Sequence, residues 1–519
     1  MKNYYITTPI YYVNDAPHIG HAYTTLACDV LARFKRLDGY NVRFLTGTDE
    51  HGQKVEKAAE KAGMSPKAFT DKVSQNFRDL CRTMNFSHDD FIRTTEDRHL
   101  KCAQAFWNEL VKTGDIYVGK YAGWYAVRDE AFYAESELVN GKAPTGADVE
   151  WVEEPSYFFK LSAWQDRLLK FYDDNPGFIA PESRRNEIIS FVKGGLMDLS
   201  VSRTSFKWGV PVPNDPAHIM YVWIEALSNY ITAVGYPATD SADFKNFWPA
   251  DLHMVGKDII RFHCVYWPAF LLAAGLQPPK RVFAHGWWTN EGQKISKSVG
   301  NVIDPVNLVE KYGLDQTRYF LMREVPFGQD GDFSHAAMIR RTNTELANDL
   351  GNLVQRVIAF INKNVGGVVP KCGDLLPVDN EILSFAYGLI DKMRGELDRQ
   401  MIHKSLDHFI ELVVRANKYV DEQAPWGLRK TDTARMETVL YVLCEVIRHL
   451  GIMALPYMPT AAGKILDVMN VAPDARVFGA IGKAGALQSG AALNMPTPLF
   501  PKFVDADTAQ PAASKTGTK

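Results

Sequence analysis

The sequence predicts an α/β fold with a doubly wound, Rossmann-like parallel sheet, an inserted domain and an all-helical bundle towards the C-terminus. Residues 4–13 are rich in Tyr, Ile, Thr and Val, which suits a β-strand. Apolar residues then recur every three or four positions over residues 23–37, as in an amphipathic helix, and residues 42–45 suit a second strand. Strand, helix, strand is the repeating unit of a parallel sheet, and further strands are predicted at 252–255 and 281–284.

A segment of different amino-acid composition separates the early and the late strands of the predicted sheet. Residues 117–213 are rich in aromatic residues, glycine and turns, which indicates an insertion within the α/β domain. After Asp332 the pattern is almost purely helical, with helices expected over 345–360, 379–420 and 433–455. The polar C-terminal end is expected to be disordered. The predicted segments are 1–116, 117–213, 214–285, 286–340, 341–500 and 501–519.

The composition is that of an ordinary globular protein and does not indicate what the protein binds. Apolar residues make up 46% of the chain and the net charge is −3, so any surface that binds phosphates must be local. None of the six cysteines lies within four residues of another, so no zinc-binding pair exists and reduced thiols are expected. The N-terminus has no signal-peptide core, and the most apolar stretch, 262–276, is too short to span a bilayer. We therefore expect a soluble, cytoplasmic protein with no membrane association.

Two histidines stand where the first strand turns into the first helix, in the sequence His18-Ile19-Gly20-His21. A helix N-terminus presents free N–H groups and the positive end of the helix dipole, which favours a phosphate. Gly20 would let a nucleotide approach the backbone, and the imidazoles would donate hydrogen bonds to charge developing on it. The alternative is one capping and one surface histidine.

A second motif, Lys294-Ile295-Ser296-Lys297-Ser298, follows a turn-rich loop. Two lysines that flank a serine on a mobile loop suit closure over a pyrophosphate leaving group, although such a loop is also typical of a solvated turn. Together the two motifs resemble those of class I aminoacyl-tRNA synthetases. Over about 500 residues the chain is similar to the methionyl-tRNA synthetase family, through residues 9–14, 47–52, 221–230 and 256–263.

The resemblance implies ATP-dependent ligation of L-methionine to tRNA(Met) through a methionyl-adenylate, with ATP bound as its Mg²⁺ complex. It names segment 117–213 a connective domain, 286–340 a lysine-loop and stem-contact region, and 341–500 an anticodon-binding domain. It assigns catalysis to His18, His21, Lys294 and Lys297. It assigns ATP binding to Tyr12, Gly20, Gly256, Asp258, Lys297 and Ser298. It assigns methionine binding to Ile10, Tyr12, Asp49, Trp223, Ala226, Tyr230, Ile259 and His263.

Ordinary structural roles compete with these assignments. Asp49 would otherwise be a polar residue after a strand, the aromatic residues plain core, and His263 a satisfied core histidine. Strand carboxyl ends are where ligands bind in such sheets, and sulfur–aromatic contacts suit a thioether, which favours function.

In the helical region Asn352, Arg356 and Trp426 match the family's anticodon-reading residues. Single-stranded bases are read by stacking on aromatic rings and by hydrogen bonds to their edges. Basic and acidic residues nearly balance here, so composition alone does not reveal an RNA-binding domain, and a solvated helix face is the alternative.

Two departures from relatives refine the expectation. The region 123–130 lacks the zinc-binding cysteine pairs of many members, which predicts no structural zinc. The additional C-terminal domain of dimeric relatives is missing, which predicts a monomer. Three alternatives remain: a synthetase for another apolar amino acid, a small-substrate nucleotidyltransferase, and an inactive tRNA-binding paralogue. The first would carry a larger editing insertion, the second has no use for the helices, and the third is expected to lose its motif histidines or Lys297.

Overall fold

The computed structural model describes residues 1–13, 16–295 and 300–503. The chain folds into two compact units. The first comprises Met1–Lys35 and Tyr40–Trp287, and the second comprises Arg36–Gly39 and the described residues from Trp288 onward. The predicted disordered tail, apart from its first residues to Phe503, lies outside the described residues.

The first unit is organised by a seven-stranded sheet in which every pairing is parallel. The predicted α/β fold class is therefore confirmed. Along the sheet the strand order is Tyr11–Tyr12, Asn41–Asp49, Asn3–Thr7, Leu252–Gly256, Val282–His285 and Ile179–Ala180, with Asp90–Arg93 also pairing with Asn41–Asp49.

The strand predicted over residues 4–13 forms two strands instead of one. Asn3–Thr7 ends before Pro9, which has no N–H to continue a ladder, and the chain resumes pairing at Tyr11–Tyr12. This second short strand sets Tyr12 beside Asp49, with the two residues in register. Both residues therefore stand at the carboxyl end of the sheet, where ligands bind in parallel α/β folds.

Helices cover the sheet, and the first of them, Ile19–Leu37, begins within the His-Ile-Gly-His motif and is buried along most of its length. The prediction placed its start four residues late, because the polar motif hides the first turn. The other α-helices of this unit are Gln53–Lys61, Pro66–Thr83, Asp97–Lys112, Gln165–Asp174, Glu182–Lys193, Val222–Leu227, Asn229–Thr232, Ala242–Phe247 and Trp267–Ala273.

The segment 117–213 is only partly a separate layer. Its centre is an antiparallel sheet in the order Ala131–Tyr133, Ile116–Ala126, Glu150–Phe159 and Leu199–Ser200. A smaller antiparallel sheet joins Ser202–Arg203, Asp215–Met220 and Pro211–Val212. In contrast, Ile179–Ala180 adds an edge strand to the parallel sheet beside Val282–His285. The limits of the six predicted segments stay a prediction.

The second unit opens with a small sheet of Gln293–Lys294, Trp288–Asn290 and Gly331–Phe333, after which helices dominate, as predicted. Its α-helices are Pro305–Tyr312, Leu314–Arg323, His335–Arg341, Asn352–Asn364, Pro377–Asp398, Ile402–Gln423, Pro425–Leu428, Thr433–Ala454 and Pro459–Val468. The expected α-helix over 345–360 is wrong in its first part, because Thr342–Gly351 is π-helical. Across the described part of the chain, no helix is both long and apolar enough to cross a bilayer.

Candidate active site

Asp49 carries the strongest sign of a ligand site. Its side chain is buried at the end of Asn41–Asp49, and Oδ1 has no hydrogen-bond partner among the described residues. Burial, and then the nearby carboxylates of Glu225 and Glu130, raise the pKa of Asp49 well above its ordinary value. A buried carboxylate with an open acceptor is costly unless something positive pairs with it. The site therefore suits an ammonium group.

Behind Asp49 lies a hydrogen-bonded set of side chains that is not predicted from the sequence. Glu225 is fully buried and accepts from His51 Nδ1 at 3.1 Å and from His99 Nε2 at 2.8 Å. Burial opposes ionisation of Glu225, but the two histidines outweigh it and lower the pKa of this carboxyl. Both carboxylate oxygens of Glu225 are thus hydrogen-bonded, whereas Oδ1 of the nearby Asp49 has no partner among the described residues.

A cluster of four ring side chains, Trp223, Tyr230, Phe262 and His263, which we call the aromatic slot, lies near Asp49, since Trp223 is on the same helix as Glu225. The rings of Trp223 and Phe262 stack at 3.7 Å, 4° from parallel. Tyr230 and His263 are buried, and their Oη and Nε2 atoms lie 2.7 Å apart. His263 Nδ1 donates to the Ile259 carbonyl at 2.9 Å, so Nε2 accepts from the tyrosine hydroxyl.

Burial lowers the pKa of His263 to about 4, so its ring is neutral at physiological pH. Ala226 is buried on the same helix as Trp223, and Ile10, Tyr12, Trp223 and Ile259 pack against the hydrophobic cluster that contains Tyr230. The structure thus gathers the predicted methionine-binding residues in one region of the first unit. Their assigned roles stay predictions.

The two motif histidines are oriented by the backbone around them. His18 Nδ1 accepts from the Gly20 N–H at 3.1 Å, and His21 Nδ1 accepts from the His18 N–H at 3.1 Å. Their ring centroids are 3.9 Å apart. Burial lowers the pKa of His18, and burial together with His18 lowers that of His21 much further. Both rings are therefore neutral at pH 7, with the remaining hydrogen on Nε2, available for donation.

Two glycines allow close packing near these rings. A Cβ at Gly20 would lie 2.9 Å from His18 Cε1, and one at Gly256 would lie 2.4 Å from Asp258 Oδ1. Asp258 is exposed and accepts from Trp287 Nε1 at 3.1 Å. Any larger residue would displace the His18 ring or the Asp258 carboxylate.

The predicted lysine loop is described only in part. Lys294 is exposed at the end of Gln293–Lys294 in the second unit, where its carbonyl accepts from the Asn301 side chain. Lys297 and Ser298 lie outside the described residues, so their predicted roles stay predictions.

Two further buried residues of ionisable type belong to this region and are not predicted from the sequence. Glu130 accepts from the Tyr12 hydroxyl at 2.6 Å. Arg203 is 1% exposed, its guanidinium lies 4.3 Å from the Phe132 ring and 4.6 Å from the Tyr221 ring, and Nε and Nη2 have no hydrogen-bond partner among the described residues. Glu130 lies in the region 123–130, where the sequence analysis considers only the missing cysteine pairs. No local sequence pattern indicates that Arg203 is buried.

In the second unit, an open cavity of about 370 Å³ is lined by Arg356, Ala359, Phe360, Lys363 and Trp426. The Phe360 and Trp426 rings meet edge to face at 4.7 Å. Arg356 Nη2 donates to Asn417 at 3.4 Å and to Asp421 at 3.3 Å, while its buried Nε has no partner among the described residues. Asn352, one turn earlier on the same helix, is exposed.

Known proteins similar to this chain agree with these features. Residues 4–150 and 136–358 match the family of class I tRNA synthetases for methionine, described as tRNA synthetases class I (M). The chain is 56% identical over 511 residues to the methionine–tRNA ligase of Rickettsia conorii, covering 97% of this chain and 99% of the relative. The chain belongs to the methionyl-tRNA synthetase family. Residues 369–519 match the anticodon binding domain of methionyl tRNA ligase.

Other members of the methionyl-tRNA synthetase family are equally similar. The methionine–tRNA ligase of Brucella suis is 55% identical over 511 residues, covering 98% of this chain and 99% of the relative. The structure of the Mycobacterium tuberculosis methionyl-tRNA synthetase in complex with methionyl-adenylate superimposes with a TM-score of 0.94 at 54% identity, covering 96% of this chain and all of that chain. These likenesses support the methionine enzyme and none of the alternatives.

Proposed function

We propose that the protein ligates L-methionine to tRNA(Met) in two steps. The methionine carboxylate attacks the α-phosphorus of ATP, the bond to the β-phosphate breaks, and pyrophosphate leaves. A ribose hydroxyl at the tRNA 3′ end then attacks the activated carbonyl, and AMP leaves. The observation that carries the proposal is the open, buried carboxylate of Asp49 beside an aromatic slot.

Each half of methionine has a matching partner in the first unit. Asp49 Oδ1 would accept from the ammonium group, and the Trp223, Tyr230 and His263 rings would surround the thioether. Sulfur–aromatic contacts contribute about 0.3–1.5 kcal/mol each. Because Tyr230 and His263 satisfy one another, the slot offers few polar groups to a competing polar side chain.

The histidine pair supplies the donors for phosphoryl chemistry. A neutral imidazole whose Nδ1 is already occupied presents Nε2–H in a fixed direction, which stabilises charge developing on phosphate oxygens without reorganisation. We assign Mg²⁺ to the phosphates of the nucleotide, because this ion is usually held by substrate phosphates and water together with one or two carboxylates.

Amino-acid-dependent exchange of pyrophosphate into ATP tests the proposed activity. With each of the twenty amino acids in turn, methionine is expected to give the fastest exchange. One missing or displaced carbon in a hydrophobic pocket costs about 1–3 kcal/mol, so leucine and isoleucine should be at least about tenfold poorer by kcat/KM. A higher kcat/KM for leucine or cysteine would overturn the assignment of the slot.

For the second substrate, we propose that the cavity around Arg356, Phe360 and Trp426 receives an anticodon base of tRNA(Met), with Asn352 at its edge. Trp426 offers a stacking surface, and the unpartnered Arg356 Nε offers a donor. These residue types are those that read single-stranded RNA.

Trp426→Ala is expected to weaken aminoacylation of tRNA while leaving methionine-dependent exchange near the wild-type rate. Stacking of one base on an aromatic ring is worth about 1–3 kcal/mol, so kcat/KM for tRNA should fall roughly 5- to 100-fold. Trp426→Phe is the matched control, since it keeps a stacking face and should retain most of the activity. Equal losses in both half-reactions would show instead that Trp426 supports the fold.

The remaining expectations stay predictions. We predict that the protein holds no structural zinc. The six cysteines form no closely spaced pair along the sequence, and five of them are buried. We retain the monomeric state and the cytoplasmic location as proposals.

A further inference from the structure

Trp426 lies on a short connection between two long helices of the second unit, Ile402–Gln423 and Thr433–Ala454. The chain leaves Ile402–Gln423 through Ala424, whose φ angle of 41° lies in the left-handed region that residues with a Cβ rarely adopt. Such a backbone conformation persists where the surrounding contacts hold it in place. The contacts at the base of this connection therefore bear on the position of Trp426.

A buried ion pair closes the base of the connection. Arg435, in the first turn of Thr433–Ala454, donates from Nη2 to the side-chain oxygen of Gln423 at 2.7 Å. The same guanidinium donates from Nη1 and Nη2 to the two carboxylate oxygens of Asp379 at 2.5 and 2.8 Å. Asp379 is fully buried on a third helix, and its Oδ1 also accepts from the Tyr419 hydroxyl at 2.6 Å. Three helices are thereby joined at this point.

This arrangement fixes geometry more than it adds stability. A buried ion pair contributes little net stability over apolar residues of similar volume, because the desolvation of both charges offsets their attraction. A planar guanidinium that meets both oxygens of one carboxylate fixes direction as well as distance. Since one donor of Arg435 is shared between Asp379 and Gln423, the end of the helix Ile402–Gln423 has a defined place relative to the ion pair.

The ion pair is separate from the cavity assigned to the anticodon. The described residues that line the cavity come from the helix Asn352–Asn364 and from Trp426, with none from the ion pair or Gln423. Trp426 follows Gln423 by three residues, so the direction in which that helix ends determines where the Trp426 ring meets the cavity.

We propose that the Asp379–Arg435 ion pair, through Gln423, positions the connection that carries Trp426 for binding an anticodon base. This inference rests on the proposed function of the cavity. The pair acts through the end of the helix Ile402–Gln423 and not by touching RNA. Loosening this link should therefore weaken the use of tRNA and leave the activation of methionine unchanged, because the residues assigned to methionine lie in the first unit.

Support of the helical bundle is the competing role for the ion pair. Arg448 offers the matched control, because it forms a buried ion pair with Glu445 on the same helix that carries Arg435. Its guanidinium also donates to the carbonyls of Ala480 and Gly482, in place of a link to the connection. An ion pair that only supports the bundle would change the unfolding temperature and leave the KM for tRNA as it is.

The experiment measures aminoacylation kinetics, methionine-dependent exchange and thermal unfolding for Gln423→Ala, Gln423→Glu, Arg435→Lys, Arg448→Lys, Trp426→Ala and the Gln423→Ala/Trp426→Ala double variant. Arg435→Lys keeps the charge beside Asp379 but loses the planar fork that reaches Gln423 as well. Gln423→Ala and Arg435→Lys should each raise the KM for tRNA by about fivefold or more, up to the roughly 5- to 100-fold effect of Trp426→Ala. Their exchange rates should match the wild type.

Two comparisons separate positioning from a direct contact with RNA. In the double variant, Gln423→Ala should add nothing to Trp426→Ala, because it acts through that ring. Gln423→Glu keeps an oxygen that accepts from Arg435 and should restore most of the affinity for tRNA, whereas a direct contact with the RNA would be weakened by the added negative charge. Arg448→Lys should lower the unfolding temperature without altering the KM for tRNA.

The proposal is overturned if Gln423→Ala keeps the wild-type KM for tRNA while Trp426→Ala does not, or if the effects of these two changes multiply. It is also overturned if Arg448→Lys raises the KM for tRNA as much as Arg435→Lys does. Should Arg435→Lys fail to fold, the Gln423 variants give the answer by themselves. Wild-type aminoacylation by Trp426→Ala would instead refute the assignment of the cavity to the anticodon, and this inference with it.

Discussion

Asp49→Asn is expected to lower kcat/KM for methionine by on the order of 10²–10³-fold, because removing one partner of a buried ion pair costs about 3–5 kcal/mol. The carboxylate is buried and its Oδ1 has no hydrogen-bond partner among the described residues, so it is free to accept from an ammonium group. The amide keeps the shape but loses the charge. The loss should appear in exchange and in aminoacylation alike, since both need the bound amino acid.

The same change is expected to leave the substrate-free protein as stable as the wild type, or more stable, at neutral pH. Burial raises the pKa of Asp49 from 3.8, so between that value and the raised pKa the native state binds more protons than the unfolded state. Stability contributed by this group therefore falls as pH rises through that window. The amide of the Asp49→Asn variant has no proton to lose. The unfolding midpoints of the wild type and the variant should therefore be similar at low pH and differ increasingly as the pH rises through this window.

Activity provides the complementary pH test. Only the ionised carboxylate pairs with an ammonium, so kcat/KM for methionine in the wild type should rise with pH as Asp49 ionises. The Asp49→Asn variant should lack that rise. A variant that loses stability in proportion to activity would contradict the ligand role, because it would mean that Asp49 holds the fold together.

The sequence alone was sufficient to predict functional residues that lie within or beside a regular hydrophobic pattern. The first helix and the polar stripe that leads to Arg356 follow from the hydrophobic period, although the helix begins four residues earlier than the period indicates and the strand predicted over 42–45 continues to Asp49. Four segments of the parallel sheet are predicted from short runs rich in apolar residues, whereas the strands Asp90–Arg93 and Ile179–Ala180 are not predicted. The break at Pro9 was missed because a strand pattern continues on both sides of it, although proline itself gave the warning.

What the sequence could not supply is long-range pairing. Tyr12 and Glu130 are 118 residues apart, and nothing in the local composition around residue 130 indicates that its carboxylate turns inward. The partnership of Glu225 with His99 spans 126 residues and is invisible for the same reason. The π-helix Thr342–Gly351 also escaped, since its apolar residues keep a spacing of four, which fits an α-helix equally well.

His21 should be tested with two substitutions, because each of its ring nitrogens has a separate task. Nδ1 accepts from the His18 N–H, so Nε2–H is the hydrogen left to stabilise charge on the α-phosphate.

His21→Asn keeps a polar atom near the Nδ1 position and loses the Nε2 donor, so the kcat for exchange should fall by about 10²–10³-fold, the cost of one preorganised donor. His21→Gln keeps a donor near the Nε2 position and should retain more activity than His21→Asn.

Burial lowers the pKa of His21 well below 6.5, so the ring is neutral above that pH, and kcat should not change with ionisation of this residue between pH 6.5 and 8.5. The native state excludes a proton that the unfolded chain would bind, so stability from this group is present above pH 6.5 and is lost as pH falls through the lowered pKa. If kcat instead rose as pH fell through 6.5, or if His21→Asn were the more active variant, the neutral Nε2 donor would not be the group that stabilises the transition state.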